Sequence, residues 1–330
     1  MGRLLSIWLD DPLSISEIGH GRDALLPAEA GSGSQSQSSL NRSLHRRLAR
    51  RLPEARLTAF GAWVASWLVG GLNRERRRLI RRSVADLLAQ TEAMRTPGQP
   101  WESVLSLGWA GLLGLGGPAH CFVYVPDSIW TPLHDPNVPP SNLPGLLMSF
   151  HGDGGNPRLH PALFAPLADA QRLVVVAPSH GFGFWKADGV EPALRALNLV
   201  ESRFGIDPRP QRRIAVGISD GGNGLARLAV AAGQRFGGLV FLSAVMNRTI
   251  LASSGFADAW RGRPVLVLQG ERDWSVTPRA TRRGIAHLRV AEVTLTERWW
   301  ANEDHLLALV RRGEILETIS GWIEGKRLTG

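Results

Sequence analysis

Gly217-Ile218-Ser219-Asp220-Gly221 holds one hydroxyl nucleophile among small residues. It follows a strand-like run, Arg213–Ile218, and opens a helix-like segment over 222–233, which is the context of a nucleophile elbow. So sharp a strand-to-helix turn strains the backbone of the serine and leaves its neighbours no room for side chains. Gly217, Gly221, Gly222 and Gly224 provide that room. The Ser219 hydroxyl would then stand at a helix N-terminus, where the local field favours an oxyanion. The plain alternative is a βα turn whose glycines serve packing. Asp220 sits one place past the tip of the turn and is poorly placed as a nucleophile.

A serine used for acyl transfer needs oxyanion donors, a base and an acid that orients the base. Ser149-Phe150-His151-Gly152-Asp153-Gly154-Gly155 follows the strand-like run Gly145–Phe150, and a His-Gly-x-Gly-Gly loop there is a source of an oxyanion N–H. The amides of Asp153 and Asp220 are the expected pair, and His151 reads as a brace of the loop or part of a pocket wall. A metal held by His151, Asp153 and His160 matches no familiar spacing or ligand set. Gly270-Glu271-Arg272-Asp273-Trp274-Ser275-Val276-Thr277-Pro278 follows the apolar run Val265–Leu268, which puts Asp273 where the acid is needed. Glu303-Asp304-His305 follows the last expected strand, and His305 is the one histidine of nine placed there. Serine, aspartate, histidine is the chain order expected where the serine sits on such an elbow.

These groups must be carried by alternating strands and helices. Strands are expected at His120–Val125, Gly145–Phe150, Leu173–Ala177, Arg213–Ile218, Leu239–Ser243, Pro264–Gln269 and Ala291–Thr296. Helices are expected over 191–204, 222–233, 278–289 and 305–324. Short apolar runs spaced this way imply a mostly parallel sheet covered by helices on both faces, with the chemistry at the carboxyl ends of the strands.

The motifs at His120–Pro126, His151–Gly155, Gly217–Gly221 and Gly270–Pro278 together resemble the α/β-hydrolase superfamily. The nearest branch is that of serine esterases similar to polyhydroxyalkanoate depolymerases and feruloyl esterases. The resemblance covers about residues 119–325. It implies Ser219 as nucleophile, His305 as base, Asp273 as acid, the amides of Asp153 and Asp220 as oxyanion hole, and no metal or organic cofactor. Relatives often carry a glycine before the histidine, whereas here Glu303 and Asp304 precede it. Phe182, Phe184, Trp185, Trp274, Trp299 and Trp300 are candidates for an acyl or aryl pocket, or for ordinary packing. Only 20 residues separate Ser243 from Pro264, too few for a lid with its own core.

Residues 1–40 read as a short segment ending in a Gly/Ser/Gln linker, residues 41–118 as an Arg-rich helical appendage, and residues 119–330 as the catalytic domain. Of the chain's formal charge of +9, residues 41–82 alone carry twelve Arg and two Glu, and the remainder is near neutral. Lys186 and Lys326 are the only lysines, so part of the arginine excess reflects composition. The spacing of Leu57, Phe60, Trp63, Val64, Trp67, Leu68 and Leu72 predicts one helix. A second over 74–90 places Ile80, Val84, Leu87 and Leu88 on one face. Residues 57–73 are uncharged but flanked by arginine at both ends, and 103–126 are rich in glycine, so neither makes a good membrane span. Packing of the appendage on the main domain is favoured. Contact with an anionic membrane surface through residues 41–82 ranks next, above nucleic acid, for which no motif is present. One cysteine, Cys121, excludes an intrachain disulfide framework and a Cys-rich zinc site. No secretory leader is visible, and the loose myristoylation pattern at Met1–Ser6 carries little weight, so the expected compartment is the cytoplasm, with peripheral membrane contact as the variant. The composition gives no oligomeric state.

The leading function is a serine hydrolase that cleaves a small or lipid-like carboxylic ester through an acyl-enzyme. A thioesterase, lipase or peptidase would use the same residues. A catalytically silent hydrolase fold that binds a membrane is the alternative of another class.

Overall fold

The computed structural model describes residues 2–9, 73–96, 120–130, 142–153, 156–179, 185 and 189–328. The linker, the helix expected over 57–72 with Trp63 and Trp67, Phe182, Phe184 and Lys186 lie outside the described residues. In chain order the elements are β1 (Arg3–Trp8), α1 (Arg74–Ala93), β2 (His120–Val125), α2 (Asp127–Trp130), β3 (Gly145–Phe150), α3 (Leu159–Gln171), β4 (Leu173–Ser179), α4 (Val190–Phe204), β5 (Arg213–Ile218) and α5 (Gly221–Ala231). They continue with β6 (Gly238–Leu242), α6 (Arg248–Leu251), α7 (Ser254–Trp260), β7 (Pro264–Gly270), α8 (Pro278–Val290), β8 (Thr294–Trp300), α9 (Leu307–Val310) and α10 (Arg312–Leu328).

All eight strands form one sheet in the order β1-β2-β4-β3-β5-β6-β7-β8. β2 runs against its neighbours β1 and β4, while β3 to β8 pair in parallel. This is the α/β-hydrolase topology. The strand interiors are continuous apolar runs because helices cover both faces. Along β3, Leu146, Met148 and Phe150 face the layer of α4, α5, α7 and α8, whereas Leu147 faces α3 and α10. A strand's alternation thus feeds two separate cores.

Three expectations are corrected. First, residues 3–8 are not part of a separate segment. They form β1, in register with β2 from Arg3↔Val125 to Trp8↔His120. Six residues whose partner lies more than a hundred positions away carry no local signature of pairing. Second, β8 starts at Thr294, not Ala291. Ala291 closes α8, and Glu292 turns the chain at φ +56°. The alternation of exposed and half-buried residues along β8 is that of an edge strand. Third, the helix expected over 305–324 is broken at Arg311 into α9 and α10.

α1 belongs to the main body. Asn73 caps it by accepting from the Arg76 amide at 2.8 Å, a bond worth about 1 kcal/mol. Ile80, Val84, Leu87, Leu88 and Thr91 are buried, and Leu87 joins the core formed by α3 and α10. Each large apolar side chain so placed contributes roughly 2 kcal/mol. The chain after α1 returns to the sheet edge, where the Leu4 amide donates to Met94 O and the Thr96 amide donates to Leu4 O.

Candidate active site

β5 delivers Ser219 at φ +53°, in the left-handed region. For a non-glycine residue this costs roughly 1–2 kcal/mol and persists only where the surroundings dictate it. They do so here. The Ser219 amide donates to Ser243 O at 3.2 Å, and Ser219 O accepts from the amides of Gly222 at 3.0 Å and Val245 at 2.8 Å. A Cβ on Gly217 would stand 2.7 Å from Gly221 O, and one on Gly221 would meet Phe150 O at 2.1 Å. The glycines let the turn close against its neighbours.

The site then assembles from three loops at the carboxyl ends of the strands. His305 Nε2 lies 2.9 Å from Ser219 Oγ, and His305 Nδ1 lies 3.0 Å from Asp273 Oδ2. Asp273 is buried, with its four hydrogen-bonding positions filled. Oδ1 accepts from the amides of Ser275 at 2.9 Å and Val276 at 2.8 Å; Oδ2 accepts from Gln269 Nε2 at 3.0 Å and faces His305. Backbone amides crowd around a carboxylate, so Asp273 holds its charge out of water at low cost. An acceptor-only carboxylate beside Nδ1 assigns the proton to that nitrogen. Nε2 is thereby left with a lone pair toward the serine hydroxyl.

The loop after β3 approaches the serine closely. A Cβ on Gly152 would lie 2.8 Å from Ser219 Cβ and 3.4 Å from its Oγ. The peptide N–H of Asp153 follows that Cα directly. The Asp220 amide stands at the N-terminus of α5, an eleven-residue helix. The Asp220 carboxylate is occupied elsewhere, accepting from the Trp185 amide at 2.9 Å and from Asn223 Nδ2 at 2.8 Å.

The aromatic and histidine candidates separate. His151 is fully buried, with Nδ1 2.8 Å from Gly152 O. Trp185 is buried too, and its indole N–H donates to His151 O at 2.8 Å. Both are therefore packed against the loop after β3 instead of lining an open pocket. Trp300 packs along the α10 face, donating to Glu314 at 3.0 Å, with the Arg298 guanidinium 4.8 Å above its ring. Trp299 is engaged by Arg282 at 4.7 Å. Trp274 alone among the described candidates stands at the site with its surface open. It is 49 % exposed and meets the His305 ring edge-on at 5.6 Å. His160 pairs with Ser149 Oγ at 2.6 Å behind the loop, and burial pushes its pKa down to about 3, helped by nearby His151. That second serine–histidine pair is sealed from solvent. Among the described residues no group of three His, Cys, Asp or Glu side chains is placed to hold a metal ion. Nor is any described helix long and apolar enough to cross a membrane.

Gln269 escaped the sequence reading. It donates to Asp273 Oδ2 and accepts from Thr281 Oγ1 at 3.1 Å, so it fixes the acid from the end of β7. The available signal was a lone amide ending an apolar strand, Pro264–Gly270.

No family model matches the sequence, and no curated protein matches it. Among solved structures, the chain is similar to the fluorophosphonate-binding serine hydrolase FphF of Staphylococcus aureus, at 17% identity. The likeness covers 63% of this chain and 93% of that one, with a TM-score of 0.48. It is also similar to an S-formylglutathione hydrolase (FrmB) of Staphylococcus aureus, at 16% identity over 62% of this chain and 89% of that one, with a TM-score of 0.48. A ferulic acid esterase matches at 14% identity over 63% of this chain and 92% of that one, with a TM-score of 0.49. The fold assignment stands on the strand order itself.

Proposed function

We propose that the protein is a serine hydrolase that cleaves carboxylic esters through an acyl-enzyme. The observation that carries this reading is the continuous chain Asp273–His305–Ser219, at 3.0 and 2.9 Å, ending on a serine held at φ +53°. In the first step His305 Nε2 takes the Ser219 hydroxyl proton as Oγ bonds to the ester carbonyl carbon. The carbonyl electron pair moves onto oxygen, to which the Asp153 and Asp220 amides donate hydrogen bonds. One such donor is worth roughly 3 kcal/mol in comparable sites. Collapse expels the alkoxide, which takes the proton from His305, leaving acyl-Ser219. Water repeats the sequence with His305 again as base and releases the acid. Asp273 holds the Nδ1–H tautomer throughout and stabilises the imidazolium. Trp274 offers an apolar face beside the leaving-group path, which favours an aryl or alkyl ester. A thioester or amide would pass through the same intermediate. Turnover of a p-nitrophenyl ester series, wild type beside Ser219→Ala, tests it: the variant should lose activity and fluorophosphonate labelling together.

A second reading has one observation in its favour. Arg74, Arg78, Arg81 and Arg82 line the exposed face of α1, a surface suited to anionic lipid headgroups. In a purely binding protein, vesicles containing phosphatidylserine would float the protein while the serine stayed unlabelled.

A further inference from the structure

Glu303 and Asp304 immediately precede His305, and they are only 3% and 9% exposed. Two carboxylates so nearly buried need hydrogen-bonding or charged partners, and one cation comes from 228 positions earlier in the chain than Asp304. Arg76 donates through Nε to Asp304 Oδ2 at 3.1 Å, through Nη2 to Asp304 Oδ1 at 3.0 Å, and through Nη2 to Glu303 Oε2 at 2.5 Å. Arg311 Nε completes the set at Glu303 Oε1, 2.6 Å away.

We propose that Arg76 is a positioning residue for His305, acting through Asp304; this rests on the reading of Ser219, His305 and Asp273 as a working triad. Asp304 Oδ1 also accepts from the Leu306 amide at 2.8 Å. That bond closes a turn in which His305 is the middle residue, an arrangement a short carboxylate side chain makes readily. The oxygen that closes the turn, Oδ1, is one of the two that the Arg76 fork holds. Fixing the carboxylate therefore fixes the backbone on both sides of His305. The opposite flank of the loop is tied by backbone: the Arg272 amide donates to Glu303 O and the Glu271 amide to Trp300 O, both at 2.9 Å. His305 is thus clamped between the loop carrying Asp273 and the first turn of α1. A planar guanidinium makes such a fork, and a lysine ammonium does not. The residue before His305 is thus an aspartate whose carboxylate is anchored to α1.

Two variants test the proposal, Arg76→Met, which keeps the aliphatic stem, and Arg76→Lys, which keeps the charge and protects folding. The control is Arg289→Met, at a side chain 66% exposed on α8. Two readouts are taken: ester kinetics, and the downfield proton resonance of His305 Nδ1–H, assigned by its loss in His305→Gln. A displacement of about 1 Å at a catalytic base costs on the order of 100-fold. Arg76→Met should therefore lower kcat roughly 10- to 100-fold with KM within about threefold, and should broaden the resonance. Arg76→Lys should fall between that variant and wild type, and Arg289→Met should match wild type in both readouts. Wild-type kcat with an unchanged resonance in a folded Arg76→Met or Arg76→Lys protein overturns the proposal. A wild-type protein that turns over no ester and takes no label defeats the triad reading instead, while the resonance still reports whether Arg76 holds His305.

Discussion

Replacing Asp273 by Asn changes one atom and should silence the enzyme, for a reason readable bond by bond. Oδ1 accepts from two backbone amides, Ser275 and Val276. Those donors cannot turn, so the asparagine must keep its oxygen there and place its NH2 where Oδ2 stands. That position faces Gln269 Nε2 at 3.0 Å and His305 Nδ1 at 3.0 Å. An NH2 group opposite Nδ1 forces that nitrogen to accept, so the imidazole proton moves to Nε2 and points at Ser219. The base is then blocked by its own proton. The same substitution in a serine protease triad lowers kcat about 10⁴-fold, and a loss on the order of 10³- to 10⁴-fold is expected here, with KM little changed. Gln269 meets the NH2 as a second donor, so stability should drop by about 1–3 kcal/mol, the cost of a buried unpaired donor. Stopped ester turnover, fluorophosphonate labelling rate and urea unfolding measure the three quantities. A kcat within tenfold of wild type, in a folded Asp273→Asn protein, would refute the tautomer argument.

Three further outcomes follow from the same contacts. Gly152→Ala sets a methyl 2.8 Å from Ser219 Cβ, so the loop must retreat with its amide; kcat should fall on the order of 100-fold while thermal unfolding moves little. Burial holds His160 neutral in the fold, its pKa pushed down to about 3 from the ordinary histidine value near 6.5. Between those pH values the unfolded chain binds the extra proton, so stability is lost as pH falls through that window, by up to about 1.4 kcal/mol per pH unit. In His160→Asn, urea unfolding between pH 4 and 6 should show a shallower slope, and equal slopes would remove His160 from the account. Leu87→Ala empties a buried position between α1 and the core of α3 and α10; a loss of roughly 2–4 kcal/mol in equilibrium unfolding is expected, against little change if α1 is a loosely attached appendage.

What the sequence made legible followed from local chemistry. β3, β5 and β7 are short apolar runs buried on both faces, and each leads into a loop whose glycines or prolines mark the turn. Ser219 and Asp273 could be ordered along the chain because each follows such a strand, whereas His305 follows β8, an edge strand of alternating exposure, and stood out as the one histidine after the last expected strand. The N-terminal region resisted for the opposite reason. β1 makes sense only against β2, and Arg76 only against Asp304, pairings set by the tertiary fold and silent in any window of sequence. The aromatics show a third limit. Trp185, Trp274 and Trp300 look alike as residues near motifs, yet one braces a loop, one is exposed beside His305, and one packs under α10. Burial separates them, and burial is a property of the assembled layers.

The most direct test of the central claim is covalent. Wild type and Ser219→Ala would be exposed to a fluorophosphonate, digested, and the adduct located by mass spectrometry. The account predicts one adduct, on the peptide containing Gly217-Ile218-Ser219-Asp220-Gly221, and none in the variant. A folded wild-type protein that takes no label, or that carries it on a serine other than Ser219, would contradict it.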